Sequence, residues 1–243
     1  MISIMINAIH FPVSLTGKEL DDYLSRGWFR MGQAIFTTDA FPFNGHIHTV
    51  HWLRFVVHQV NYGRSQKKLI ALNKPFRADV APLNLTTELE ELFSFYKNSV
   101  DFAAPESVTE YMFDGRNFNV YNTKMITLRD KGKLIAAGLF DEGEKSIAGI
   151  LNFYHPDYKR KSLGKYLMLL KINYAIQNGI KWYYPGYVAS GYPKFDYKLF
   201  PDTNAAEVFE PYSNEWVPVR LFHWPDHSPS FHPMYDSRGE SKG

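Results

Sequence analysis

No cysteine occurs among the 243 residues. That excludes a disulfide scaffold, a thiolate-bound metal, an iron–sulfur cluster and a cysteine nucleophile. No apolar run approaches the roughly 20 residues that a membrane-spanning helix needs. The start, Met1 to Pro12, lacks the basic region and small-residue cleavage site of a secretory leader. A soluble, cytoplasmic protein without membrane attachment is the expectation. Internal repeats, a Gly-x-Ser-x-Gly elbow and a His-Glu-x-x-His zinc motif are missing too. Net charge is small, at +2. Aromatic residues are plentiful: they make up 16% of the chain, mainly 19 Phe and 16 Tyr. With 45% hydrophobic and 21% charged residues, the chain is not disordered. It can form one large domain or two small ones.

The charges are segregated. Arg54, Arg64, Lys67, Lys68, Lys74 and Arg77 form a basic stretch with no acid between them. A second stretch, Lys159 to Lys198, holds eight basic residues and one acid, Asp196, whereas Asp79 to Asp114 holds eight acids. Such a distribution builds either a positive surface for an anionic partner or two solvated faces. The partner could be a tRNA, a phosphorylated cofactor or an acidic peptide.

Hydrophobic period and capping residues place the elements. Thr16 and Glu19 have capping-box spacing for a helix over Thr16–Arg26, closed by Gly27. Trp28–Thr37 and Thr49–Val57 read as strands, separated by a turn-rich segment from Thr38 to Gly45. Arg64–Asn73 reads as a helix, Asp79–Leu85 as a connection, and Thr87–Lys97 as a helix boxed by Thr87 and Glu90. Ser107 and Glu110 start a third. Lys124–Arg129 and Leu134–Phe140 flank a hairpin turn at Asp130–Lys133, and Ser146–Tyr154 is apolar enough to be a central strand. After Pro156 the period becomes helical, with Leu163, Tyr166, Leu167, Leu170 and Tyr174 on one face up to Gly179. Ile180–Tyr184 is then a buried strand, parallel to the central one because a helix links them. Glu207–Glu210 and Glu215–Val219 form a late hairpin. The fold expected is α+β, a mixed sheet with a smaller α+β subdomain over 1–82, a main domain over 83–225 and a flexible tail over 226–243.

His155 to Lys165 lies where the central strand delivers the chain into that helix. Free N–H groups at a helix N-terminus, beside basic side chains, suit an anion, and Gly164 permits close approach. The segment resembles the pyrophosphate loop of the GNAT acyltransferase fold, Gln/Arg-x-x-Gly-x-Gly/Ala, with Lys159, Ser162 and Gly164 at its key positions. A helix capped by Ser162 beside a solvated basic turn is the plainer alternative.

Three further segments are more specific. Arg160-Lys161-Ser162-Leu163-Gly164-Lys165-Tyr166, Trp182-Tyr183-Tyr184-Pro185-Gly186-Tyr187 and Gly191-Tyr192-Pro193-Lys194-Phe195-Asp196-Tyr197-Lys198 resemble the aminoacyl-tRNA–protein transferases, the arginyl and leucyl transferases of the N-degron pathway. Arg26-Gly27-Trp28-Phe29-Arg30-Met31-Gly32 and Arg64-Ser65-Gln66-Lys67-Lys68 extend the resemblance toward the N-terminus. It implies a GNAT-like fold and transfer of arginine or leucine from aminoacyl-tRNA to the α-amine of a protein N-terminus. Aminoacyl-tRNA is then a co-substrate, with no separate cofactor.

The resemblance implies these roles. Lys159, Arg160 and Lys161 meet tRNA phosphates, while Ser162 and Gly164 offer backbone donors. Of Trp182, Tyr183, Tyr184 and Tyr187, strand alternation turns some rings into the core and leaves others to stack on the terminal adenosine, and Tyr184 and Gly186 are candidate tRNA-binding residues. Lys194 and Lys198 meet phosphate or an acidic acceptor residue. Arg26, Trp28, Arg54, Arg64, Gln66 and Lys67 extend the tRNA surface. Asp157 and Asp196 are candidate bases, with Tyr187 and Tyr197 as hydrogen-bonding partners in the site. His46, His48, His51 and His58 cluster in sequence, but without a nearby carboxylate, and no metal site is expected. The family's cysteines are absent, and Phe195-Asp196 stands where the family has Met-Arg. Two rivals therefore remain: a coenzyme A-dependent N-acyltransferase, and a non-catalytic tRNA- or peptide-binding relative. Oligomeric state is open.

Overall fold

Thr16 opens the first helix, α1 (Gly17–Ser25), in a computed structural model that describes residues 7–43, 45–101 and 104–224. The expected tail from 226 lies outside the described residues. Thr16 accepts the Glu19 amide, and the Glu19 carboxylate accepts the Thr16 amide, so the capping box is complete. Ser107 likewise caps α4 (Val108–Phe113) through the Glu110 amide. In α3 (Thr87–Lys97) the cap is Thr86, one residue earlier than expected. Glu90 is drawn off the Thr87 box because its carboxylate accepts the Val108 and Thr109 amides and fixes the start of α4 instead.

Turn residues decide several strands differently from the simple reading. Trp28–Thr37 is not one strand. Gly32, at φ +58°, folds it into β2 (Phe29–Met31) and β3 (Ala34–Thr37), which with β1 (Ala8–His10) make a three-stranded sheet. The segment expected as a turn contains β4 (Ala40–Phe43), paired with β5 (His46–Val56). Arg77–Pro82 is an edge strand, β6, rather than a connection. Nearly all of its side chains are exposed, so it carries no apolar alternation to read.

The main sheet is mixed and, among the described residues, has nine strands. Its order is β12 (Glu215–Pro218), β11 (Ala206–Glu210), β5, β10 (Trp182–Ala189), β9 (Ser146–Tyr154), β8 (Lys133–Glu142), β7 (Thr123–Asp130) and β6, with β4 beside β5. This is the expected α+β mixed sheet. The division drawn near residue 82 runs through it, because β5 and β6 pair with strands from the other side of that boundary. One pair, β9 with β10, is parallel. Helix α5 (Leu163–Gln177) supplies the crossover that such a pair requires.

Helices cover both faces. α5 and α2 (Arg64–Asn73) pack on one, where Phe55, Ile135, Phe140, Leu167 and Ile172 form the largest core cluster. α3 and α4 cover the other, with Leu92, Phe93, Met112 and Phe153. α5 is apolar around most of its circumference, as a helix lying deep in a core must be. Lys171 is the exception, an ionisable side chain 1% exposed in its middle.

Candidate active site in a cleft between parallel strands

β9 and β10 pair only where Ser146–Ala148 meets Trp182–Tyr184. Pro185 has no amide hydrogen, and Gly186 sits at φ +96°, in a register shift against β5. Past this irregularity the parallel strands part and leave a wedge. Two chambers occupy it. The inner one, about 640 Å³, is bordered by Asn152, Gly186, Tyr187, Lys171, Tyr197 and Lys198, and by Arg30 from β2. The outer one, about 800 Å³, lies at the start of α5. Asn152, Phe195 and Tyr197 border both chambers.

The inner chamber is built on buried charge. Arg30 donates to Asp141 and Thr123 through Nη1, at 2.8 and 2.9 Å, and to the Met112 carbonyl through Nη2 at 2.7 Å. Its guanidinium lies 4.3 Å from the Tyr121 ring centroid. The Asp141 side chain is fully buried. Burial raises its pKa, while Arg30 and Thr123 work against that rise. Its other oxygen, Oδ2, has no hydrogen-bond partner among the described residues. Lys171 Nζ donates to the Leu139 carbonyl at 2.7 Å and to Asn152 Oδ1 at 2.8 Å. Burial pulls its pKa down to about 7, against an opposing pull from Asp141.

Lys198 is the third cationic side chain of this chamber, after Arg30 and Lys171. Its Nζ donates to the Tyr187 carbonyl at 2.8 Å and lies 4.7 and 4.6 Å from the ring centroids of Tyr187 and Phe195. Burial lowers its pKa to about 7. A Cβ at position 186 would come 3.2 Å from this ammonium, so Gly186 gives the lysine its space. Burial also pushes Tyr187 up to about 12 and raises Tyr197, so both phenols stay protonated at neutral pH.

The outer chamber has other chemistry. Lys159, Lys165 and Lys194 border it with Tyr96, Tyr154 and Tyr192. Ser162 and Gly164 bring the N-terminus of α5 to it. Ser162 holds the N-cap position at φ +50°, but its side chain makes no capping bond. That corrects the Ser162-capped alternative, since a left-handed backbone turns the hydroxyl off the helix end. Lys194 is exposed and ion-pairs with Asp101 at 3.3 Å.

Other expected site residues lie elsewhere. Asp157 is exposed beside His155 and borders neither chamber. Asp196 lies outside both linings too, with its carboxylate oxygens shielded from solvent. Tyr184 is 3% exposed and packs with Leu20, Leu24 and Trp216, because strand alternation sends it to the sheet face opposite Tyr183. Arg54 bonds Glu207 at 2.6 Å between the rings of Trp182 and Trp216. It braces the sheet. Arg26 and Trp28 border a separate recess. The His cluster gathers no metal-binding group among the described residues. His48 and His51 instead bond the carbonyl and hydroxyl of Ser190.

The two basic stretches meet in part. Asn73 Nδ2 donates to the Lys161 carbonyl and Gln66 Nε2 to the Phe200 carbonyl, so α2 lies against the Pro156–Lys161 turn. Arg64, Lys67, Lys68 and Lys74 on one side, and Lys159 and Arg160 on the other, are exposed there. Arg30, Asp141, Asn152 and Lys171 were not singled out from sequence as site residues. Arg30 does lie inside a quoted motif. The others carried no local signal.

Comparison with known proteins bears on this cleft. Residues 88–202, which include most of its lining, match the family model described as "Arginine-tRNA-protein transferase, C terminus". An aspartate/glutamate leucyltransferase of Leptospira interrogans is 29% identical over 215 residues, covering 85% of this chain and 81% of that protein. One of the same name from Rhodopseudomonas palustris is 28% identical, covering 74% of this chain and 73% of its own. Among solved structures, FemX aligns over 78% of this chain and 65% of its own, at 9% identity and a TM-score of 0.48.

Proposed function

We propose that the chain belongs to the aminoacyl-tRNA–protein transferase family, as the family-model match over residues 88–202 and the two similar leucyltransferases support, and that its two chambers divide the work. The reaction is transfer of an amino acid from aminoacyl-tRNA to the α-amine of a protein N-terminus. The outer chamber receives the 3′ end of the tRNA. Its tyrosines offer faces for the terminal base, and its lysines and the α5 N-terminus offer charge and donors for phosphate. The basic surface shared by α2 and the Pro156–Lys161 turn, including Arg160, Lys161, Arg64 and Lys67, extends this contact to the acceptor stem. The inner chamber receives the reacting groups.

The observation that carries this reading is that the two chambers share Asn152, Phe195 and Tyr197 in their linings. An ester held in the outer chamber presents its carbonyl to an amine held in the inner one. An aminoacyl ester is already activated, and an α-amine of ordinary pKa ~7.7–8.0 is partly neutral near pH 7. Positioning therefore does most of the work, and no strong base is required. Asp157 is exposed and borders neither chamber.

Leucine as the donor and aspartate or glutamate as the acceptor residue are the finer choice. The names of the two relatives support it, as does the Lys198 ammonium at the inner chamber. Such tagging is the chemistry of an N-degron, and the cytoplasm, where charged tRNA is abundant, is its setting. Among the described residues no helix is long and apolar enough to cross a membrane. The test pairs leucyl- and arginyl-tRNA with peptides beginning Asp, Glu, Lys or Ala. Leucine incorporation into the Asp and Glu peptides is expected. Incorporation of neither amino acid into any peptide would defeat the reading.

A further inference from the structure

Asn152 stands on β9 where the two chambers meet. Its orientation is not free. Lys171 Nζ donates to Oδ1 at 2.8 Å, and in its protonated form it has only donors to offer. The amide oxygen is therefore held toward Lys171, and Nδ2 must point the other way. Nδ2 approaches the Gly164 carbonyl only at 3.4 Å, too long to use up its donor capacity. Room for this arrangement comes from Gly138. A Cβ there would lie 2.9 Å from Asn152 Oδ1 and 3.3 Å from Lys171 Cε. Lys171 is itself held from behind by the Leu139 carbonyl.

We propose that Asn152 Nδ2–H donates to the ester carbonyl oxygen during transfer, and that Lys171 is the positioning residue that aims it. This rests on the aminoacyl-transfer reading. The neutral α-amine attacks the ester carbon, so a C–N bond forms and the carbonyl electron pair moves onto oxygen. Nδ2–H meets that developing negative charge. The oxyanion then collapses, the carbon–oxygen bond to the ribose breaks, and the departing oxygen takes up the proton that the amine gives away. Amide and ribose hydroxyl are the products, and no other reactant is consumed. A donor fixed before the reaction stabilises the oxyanion without reorganising, which is why such groups are effective.

The test uses the full chain, one charged tRNA and one acceptor peptide, with single-turnover rate and tRNA affinity measured separately. Asn152→Ala and Asn152→Asp should each lower the rate about a hundredfold, with tRNA affinity within about threefold of the parent. Asn152→Asp is decisive, since a carboxylate keeps the size and the Lys171 contact but removes the donor. Lys171→Met should also slow the step, yet add little in the Asn152→Ala background, because it acts through Asn152. An Asn152→Asp enzyme within about threefold of the parent rate overturns the proposal, as does a Lys171→Met effect that is undiminished in the double variant. Should Lys171→Met fail to fold, the two Asn152 variants decide alone. A parent chain that transfers no amino acid overturns both this assignment and the reading beneath it. An active parent beside an active Asn152→Asp overturns this assignment only.

Discussion

Replacing Arg30 by methionine keeps an aliphatic stem and removes a guanidinium that lies over the Tyr121 ring, from a side chain 2% exposed. Bonds to Asp141, Thr123 and the Met112 and Gly32 carbonyls disappear together. Asp141 is then buried with no cation in contact. Breaking a buried pair from one side costs about 3–5 kcal/mol, mostly because a charge stays behind without a partner. For a chain of this size, each kcal/mol moves the melting temperature by about 2–4 °C, so a fall of about 6–20 °C is expected. The deficit should depend on pH with a definite sign. Without Arg30, the folded-state pKa of Asp141 stands well above its unfolded value of ~3.9. Stability from such a group is present at low pH and lost as pH rises. Arg30→Met should therefore be closer to the parent at pH 5.5 than at pH 8. Urea unfolding at both values, with thermal melts, measures this. Adding Asp141→Leu should recover much of the loss by removing the stranded carboxylate. A single variant within about 1 kcal/mol of the parent, or a double variant no better than the single, would refute the reasoning.

Three further outcomes are expected. Lys198, with its pKa near 7, should bind an acidic acceptor residue only while protonated, whereas the attacking amine must be neutral. The kcat/KM for Asp-peptides should therefore rise and then fall with pH, and Lys198→Met should lose about tenfold to a hundredfold of the preference over Ala-peptides. A flat profile with intact preference would contradict this. Since the Lys198 pKa lies below its unfolded value, its burial cost fades between pH 7 and 10. The Lys198→Met variant should show a smaller rise in stability than the parent on titration monitored by urea unfolding, with the share of Lys171 remaining. For tRNA, affinity should fall steeply with salt. Joint replacement of Lys159 and Arg160 by Ala should flatten the slope by about 1–2 units in a filter-binding series, and an unchanged slope would place the tRNA elsewhere. Arg54→Met, by contrast, should cost about 2–4 kcal/mol in unfolding experiments and leave tRNA affinity unchanged at a permissive temperature, because its guanidinium already serves Glu207, Trp182 and Trp216.

The parts of the fold legible in the sequence are those specified locally. The Thr16 and Ser107 caps, the Asp130–Lys133 hairpin and the crossover from Ser146 through α5 each rest on a few consecutive residues. Signals failed where a neighbour distant in the chain competed, as when Glu90 left its box to hold α4, or where a strand had no buried face to pattern, as in β6. The strand expected over Ile180–Tyr184 runs on through Pro185 and Gly186 to Ala189 because β5 pairs with it beyond the irregularity. A proline and a glycine read as its end are the means by which the cleft opens.

The site divides along the same line. Lys159, Ser162, Gly164, Lys194, Lys198, Tyr187 and Tyr197 could be found because they fall within short segments joined directly to the crossover. Arg30, Asp141, Asn152 and Lys171 come from β2, β8, β9 and α5, and each is ordinary in its own segment. What distinguishes them is burial. An isolated ionised group in a core is costly, so one that persists there must be met by partners or used. Lys171 in the middle of an apolar helix is such a group, and in sequence it counts only among the eight basic residues of the Lys159–Lys198 stretch. Once α5 is seen to be covered on nearly all sides, the same residue demands an acceptor, and Leu139 and Asn152 supply two. Following that demand from the lysine outward leads to Asn152 at the junction of the chambers, a residue that none of the quoted motifs contains.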